Sequence, residues 1–347
     1  HHVSSGHWIG HRPPTGPAFG RDPDVAAVQH LLKEHGSAAL TGLAGIGKST
    51  VARCVAEAWC TEGGDVRWAN VDTYAALSDV ASALNGTTTF GDDASAADWL
   101  EGLPSTDLVV LDGCEHIHAM HAARFWKAAG GSTSGPTWFI VGRAPFDSPE
   151  SMPRKVLDPL GDEAAMQILG DVEDAEAILS RLGGHPLALH LYRPGLALPE
   201  QGEDIEAFVT NAVLTDLSKG EQMAVDELAL LPFGVPGDDL AQADNITDLD
   251  ERALLLWWTT GGLQLHALVR HVVLETMDEA AVKQASMTAA EHWLNSTSPL
   301  GPLLVMHHRM LAGQGGMVDA AGAAMASNTG GLGRLSALLE DALERTP

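Results

Sequence analysis

The sequence has little basic charge, almost no tyrosine, three cysteines and no long apolar run, and most of these scarcities exclude something. Only 20 lysines and arginines stand against 46 aspartates and glutamates, a formal net charge of −26. Such a surface repels nucleic-acid phosphates, and no local basic patch interrupts it, so direct nucleic-acid binding is not expected. Cys54, Cys60 and Cys114 are too few for a disulfide framework and point to a reduced, cytoplasmic setting. No apolar stretch reaches the ~18–20 residues that span a bilayer. No secretory leader is visible either, so no membrane partner is expected. The opening H-H-V-S-S-G-H resembles the remnant of a purification tag and is set aside, and residues 8–20, rich in Gly and Pro, read as an extended arm.

What is present is a globular chain of 347 residues, 45% hydrophobic, long enough for two or three domains. Asp22 can cap a helix over 23–34, with Val25, Val28, Leu31 and Leu32 as its apolar stripe. Short apolar runs at 38–41, 66–71, 108–111 and 138–141 read as buried strands, and helical patterns at 48–59, 74–84 and 117–129 lie between them. Strands alternating with helices predict a parallel sheet in an α/β three-layer domain. After Leu157 the strand signals fade. Helices at 162–169, 173–182 and 186–191 suggest a small bundle, 214–275 a further unit with a short L-Q-L strand, and the remainder helical pairs. The expected units are an arm over 1–17, an α/β domain over 18–157, a small helical domain over 158–210, a third unit over 211–276 and a helical region over 277–347.

Gly42, Gly45, Gly47, Lys48 and Ser49 have the G-x(4)-G-K-S spacing, after a predicted strand and at the start of a predicted helix. In that context the glycines let backbone N–H groups turn inward as an anion nest at a helix N-terminus. Lys48 supplies a compact positive charge for the β- and γ-phosphates of ATP or ADP, and Ser49 a hydroxyl for Mg²⁺. The run D-L-V-V-L-D at 107–112 delivers Asp112 to the carboxyl end of a strand, where open α/β sheets bind ligands, as the second Mg²⁺ anchor. Glu115 is placed either to polarise an attacking water or simply as the acid that a helix N-terminus favours. The segment C-E-H-I-H-A-M-H holds Cys114, His116, His118 and His121, but its spacing matches no common closed zinc site, so surface or core histidines are the better reading. Cys54 and Cys60 read as core residues.

In order along residues 18–275, these features resemble the STAND class of signal-transduction ATPases, related to NB-ARC proteins of immunity and to the ATPase modules of large bacterial transcription regulators. F-G-R-D at Phe19–Asp22 is similar to the family's leading motif, whose backbone neighbours the adenine, so the resemblance places Phe19, Gly20 and Arg21 at the nucleotide. G-L-A-G-I-G-K-S-T, running through Ile46 to Thr50, and L-V-V-L-D-G-C-E-H look like its Walker A and Walker B forms. Arg143 stands where the family carries a sensor arginine aimed at the γ-phosphate. Pro186, in L-G-G-H-P-L-A-L, matches a proline that packs on adenine, and His266, in L-Q-L-H-A-L-V-R, a winged-helix histidine that reaches the β-phosphate of ADP. Each has a bland rival: a solvated strand-end charge, a helix N1 proline and a core histidine. Two positions depart from the pattern: Val-Gly rather than Thr-Ser or Thr-Thr precedes Arg143, and Gly113 rather than an acid follows Asp112.

The resemblance implies a P-loop domain, then a small helical lid, a winged-helix domain and the start of a TPR-like helical array. It also implies a nucleotide-dependent switch: closed with ADP, open and self-associating with ATP, reset by slow hydrolysis. Its signal ligand or effector domain would lie outside this chain. The rivals are a faster P-loop ATPase or kinase, the nucleotide module of a DNA-binding regulator, and a scaffold that holds ADP for stability.

Overall fold

The computed structural model describes residues 5–345 apart from 131–133, 145, 147, 150, 201–203, 216, 259–261 and 328–330. The first part alternates strand and helix: β1 (Trp8–Gly10), α1 (Asp22–His35), β2 (Ser37–Thr41), α2 (Lys48–Thr61), β3 (Val66–Asn70), α3 (Leu77–Asn85), α4 (Asp93–Glu101), β4 (Leu108–Asp112), α5 (Ala119–Gly130), β5 (Thr137–Gly142) and β6 (Arg154–Val156). The strands form one parallel sheet in the order β1-β3-β4-β5-β2-β6. Both faces are covered, which is why the inner strands read as continuous apolar runs. In β4, Leu108 and Val110 enter the core beneath α1 and α2, while Val109 and Leu111 enter the core beneath α3, α4 and α5.

The arm is the first correction. Trp8–Gly10 pairs in parallel with β3, and Trp8 stacks on Trp68 with ring centroids 5.6 Å apart. Gly6 N–H donates to Cys60 O at 2.8 Å and His7 N–H to the Asp65 carboxylate at 2.7 Å, so residues 6–10 belong to the fold. Further on, Arg53 donates to Gly16 O at 2.6 Å and ties the rest of the arm to α2. Three residues are too few to show a period of two, so β1 left no pattern to read. The same holds for the edge strand β6. Helix α3 starts later than its apolar pattern suggests, because Asp72 accepts the Tyr74 N–H at 3.2 Å and holds a turn there.

The second part is helical: α6 (Asp162–Leu169), α7 (Ala175–Leu182), α8 (Pro186–Leu191), α9 (Ile205–Leu214), α10 (Lys219–Leu230) and α11 (Ile246–Glu251). An antiparallel hairpin of β7 (Leu255–Trp258) and β8 (Gly262–Leu265) follows, then α12 (Ala267–Thr276), α13 (Glu279–Asn295), α14 (Gly301–Ala312), α15 (Met317–Ser327) and α16 (Gly331–Glu344). One apolar core runs through all of these, from Leu160 before α6 to Ala342 in α16. The chain end returns to the α/β part. Arg334 of α16 pairs with Asp72 at 2.6 Å, and Asp341 meets His118 at 2.9 Å. Among the described residues no helix is long and apolar enough to cross a membrane.

Candidate functional site

The turn between β2 and α2 is built from positions that only glycine fills without strain. Gly47 precedes α2 with φ +99°, in the left-handed region. At Gly45, with φ +74°, a Cβ would fall 2.9 Å from the Leu187 side chain and 3.0 Å from the His185 ring. Helix α8 thus seats directly on this turn. Lys48 Nζ donates to Gly42 O at 3.1 Å and Leu43 O at 2.8 Å, which aims the ammonium along the loop. Burial lowers the Lys48 pKa, while the nearby Glu115 and Asp112 carboxylates oppose that shift.

The sheet brings the second half of the site alongside. Asp112 ends β4, and its Oδ2 accepts the Ser49 hydroxyl at 2.6 Å. Asp112 is buried, which pushes its pKa up to about 6 against the opposing effect of the Ser49 hydrogen bond. A hydroxyl and a carboxylate side by side are hard oxygen donors of the kind Mg²⁺ takes, so the residues present fit that ion. Glu115 lies in the short helical turn after β4, and its Oε2 accepts the backbone N–H of Arg143 at 3.0 Å. The Arg143 guanidinium reaches Glu206 of α9 at 3.9 Å, and His271 of α12 approaches the same carboxylate at 3.8 Å.

These groups line one cleft of ≈ 790 Å³, bounded by the α/β part on one side and by α8, the hairpin, α12 and α16 on the other. Lys48, Ser49, Thr50, Asp112, Glu115 and Arg143 lie on its α/β wall. Pro186, the N1 residue of α8, lines the cleft. His266 also lines it, where burial pushes its pKa down to about 4 and the neighbouring His190 adds to the shift. It is half-buried there.

Phe19, Gly20 and Arg21 do not face this cleft. Phe19 packs against the helical core and Gly20 backs on Ala164. Arg21, 4% exposed, donates to Ile46 O at 2.6 Å and Asp158 O at 2.9 Å and pairs with Asp24 at 3.0 Å. It grips the phosphate loop from behind. The clustered histidines have other partners: His118 meets Asp341, His121 meets Gly333 O at 3.2 Å, and both therefore contact α16. Cys114 is buried, whereas Cys54 and Cys60 are only partly so.

Several cleft residues carried no legible signal. His11 comes from the arm; its Nδ1 accepts the Asn70 N–H at 2.9 Å, and burial pushes its pKa down to about 4. Arg270 donates to Ala229 O at 2.8 Å and Leu231 O at 3.0 Å, and Arg334 enters from α16. His185, the variable residue of the G-H-P triplet, does not line the cleft but contacts the loop at Ala44 O, 3.0 Å away.

A family model described as an AAA domain matches residues 23–135. No curated protein matches the sequence. Among solved structures, a STAND protein with a tetratricopeptide repeat sensor from Pyrococcus horikoshii matches with a TM-score of 0.68 at 15% identity, covering 99% of this chain and 55% of that one. The chain thus spans little more than half of that protein's length. A Walker-type ATPase of Pyrococcus abyssi matches at TM-score 0.40 and 11% identity, over 76% of this chain and 98% of that one. The RuvB Holliday junction branch migration motor of Thermotoga maritima matches at TM-score 0.35 and 16% identity, over 72% and 93%. Scores this low carry no further argument. At these identities the likeness is one of fold: the chain has the fold of a STAND-class P-loop ATPase.

Proposed function

We propose that this chain is an ATP- and ADP-dependent switch. One observation carries the reading: residues from four separate parts of the chain, Lys48 with Asp112, Pro186, His266 and Arg334, line the same cleft. A ligand held by Lys48, Ser49 and Thr50 would touch groups on both walls, so its chemistry biases how the walls sit together. ADP would favour the closed arrangement, with His266 donating to the β-phosphate. ATP would favour an open, self-associating one in which Arg143 meets the γ-phosphate. The hairpin unit acts as a winged helix and α13–α16 as the start of a TPR-like array, both structural rather than DNA-reading. The signal ligand and the effector lie outside this chain, in a cytoplasmic setting.

Mg²⁺, when bound, would be held by Ser49 and Asp112 and would neutralise developing phosphate charge. This chain's own residues do the rest. The loop N–H groups and Lys48 orient the phosphates, Asp112 keeps the Ser49 hydroxyl in place, and Glu115 accepts a proton from the attacking water. The match of 23–135 to an AAA domain favours a second reading, a faster P-loop ATPase. Turnover separates the two: the switch turns over far below the ~10 s⁻¹ typical of enzymes.

The test is Lys48→Ala. Its protein is expected to lose co-purifying nucleotide and the thermal stabilisation by added ADP, since binding to the native state adds RT ln(1 + [L]/Kd). Stoichiometric nucleotide on the variant would overturn the site.

A further inference from the structure

Three consecutive carbonyls of the phosphate loop have hydrogen-bond partners outside the loop. Ala44 O accepts from His185 Nε2 at 3.0 Å, Gly45 O from the Leu187 N–H at 3.3 Å and Ile46 O from Arg21 at 2.6 Å. A trans peptide is planar, with its C=O and N–H pointing in opposite directions. Gripping the Ala44 and Ile46 carbonyls on the outer face therefore turns the N–H groups of Gly45 and Gly47 towards the cleft that both residues line. The Ile46 N–H keeps only a long contact, 3.4 Å to Leu43 O.

The His185 ring does two jobs at once. It is 5% exposed, and its Nδ1 accepts the Ala188 N–H at 3.3 Å, capping α8. With Nδ1 accepting, the ring proton of the neutral imidazole sits on Nε2, which is the tautomer that can donate to Ala44 O. Burial lowers the His185 pKa and so favours this neutral form. Beside it, the Leu187 N–H, unsatisfied within α8 because it lies in the first turn, finds the Gly45 carbonyl.

We infer that His185 is a positioning residue, tying the start of the lid helix to the Ala44 carbonyl and pre-orienting the loop N–H groups for a nucleotide diphosphate. The inference rests on the nucleotide reading of the cleft. His185 touches no ligand itself. It acts through the peptide plane between Ala44 and Gly45, and it makes lid docking and diphosphate binding one event.

Two substitutions split its roles. In His185→Asn the Oδ1 stands where Nδ1 did and keeps the cap, but nothing reaches Ala44 O. In His185→Gln the longer amide reaches Ala44 O and the cap is lost. Affinity for a fluorescent ADP analogue is measured beside melting in nucleotide-free buffer and hydrogen exchange of the 42–48 segment. His185→Asn is expected to melt near wild type, exchange faster in the loop and bind ADP about tenfold more weakly, the scale of one net hydrogen bond. His185→Gln is expected to keep most of the affinity and melt lower. Wild-type affinity in His185→Asn, or parallel losses of affinity and melting in both variants, would overturn the assignment alone. A wild-type protein that binds no nucleotide would overturn the reading of the cleft and this assignment with it.

Discussion

The carboxylate of Glu115 accepts the backbone N–H of Arg143 at 3.0 Å, so the candidate base and the candidate sensor are joined through the main chain of β5's end. The same carboxylate oxygen lies 2.8 Å from where a Cβ on Gly142 would sit, so a side chain at this position, which departs from the family pattern, would push it aside. Glu115→Gln keeps an oxygen for the Arg143 N–H and removes only the charge. If Glu115 is the base, turnover is expected to fall by 10²–10⁴ with ADP affinity little changed. Unchanged turnover in a steady-state phosphate-release assay would make Glu115 a strut between two strand ends.

Asp112 leads to a pH dependence. Its folded pKa, about 6, lies above the ordinary 3.8, so the carboxylate gains its proton early as pH falls. Mg²⁺ needs the ionised form, and Mg²⁺-dependent hydrolysis is expected to decline below pH 6 while Mg²⁺-free ADP binding declines less. Asp112→Asn should lower hydrolysis at all pH values and remove that step, sparing the anion nest. Equal loss of binding and hydrolysis would point to a folding role for the end of β4.

His266 lines the cleft at the end of the hairpin. Its pKa of about 4 keeps it neutral near pH 7, so it offers a single N–H to a phosphate oxygen. A hydrogen bond to a charged group contributes about 1.5–3 kcal/mol, which is roughly ten- to a hundredfold in an equilibrium. His266→Ala is expected to speed ADP release by that factor and to leave melting of the nucleotide-free protein nearly unchanged. An unchanged off-rate with a large drop in melting temperature would reassign His266 to the core.

Desolvated histidines make the stability of the fold depend on pH. His11, His266 and His307 each have a pKa pushed down to about 4 from 6.5, chiefly by burial. The unfolded chain therefore takes up their protons first, so this stability is intact above pH 6.5 and is lost as pH falls towards 4. Asp79 and Asp112, raised to about 7 and about 6, act in the opposite sense and partly offset the loss. His307 is the clean probe, because its two nitrogens meet the Tyr74 hydroxyl at 2.9 Å and Leu230 O at 2.8 Å, away from the phosphate loop. His307→Gln is expected to flatten the decline between pH 6.5 and 4 by about 1.4 kcal/mol per pH unit. Urea unfolding at several pH values would show it, and an unaltered slope would exclude His307 as the cause.

The sequence by itself determined the phosphate loop, the four inner strands, most of the helices and the order of the motifs. Each of those is a local signal. The run 108–111 of β4, buried on both faces, must be apolar, and Gly45 and Gly47 must be glycine because their φ angles are positive. Tertiary structure decided what no local period encodes. Asp72 and Arg334, 262 positions apart, meet at 2.6 Å only because α16 packs back on α3. His118 and His121, read in sequence as surface or core histidines, both meet α16. His11 reached the cleft through a three-residue strand too short to leave a pattern. Arg21, placed by its motif 25 positions before Ile46, holds that residue's carbonyl at 2.6 Å. The physical reason is common to all four: chain periodicity reports which face of an element is buried, and only packing decides what that face is buried against.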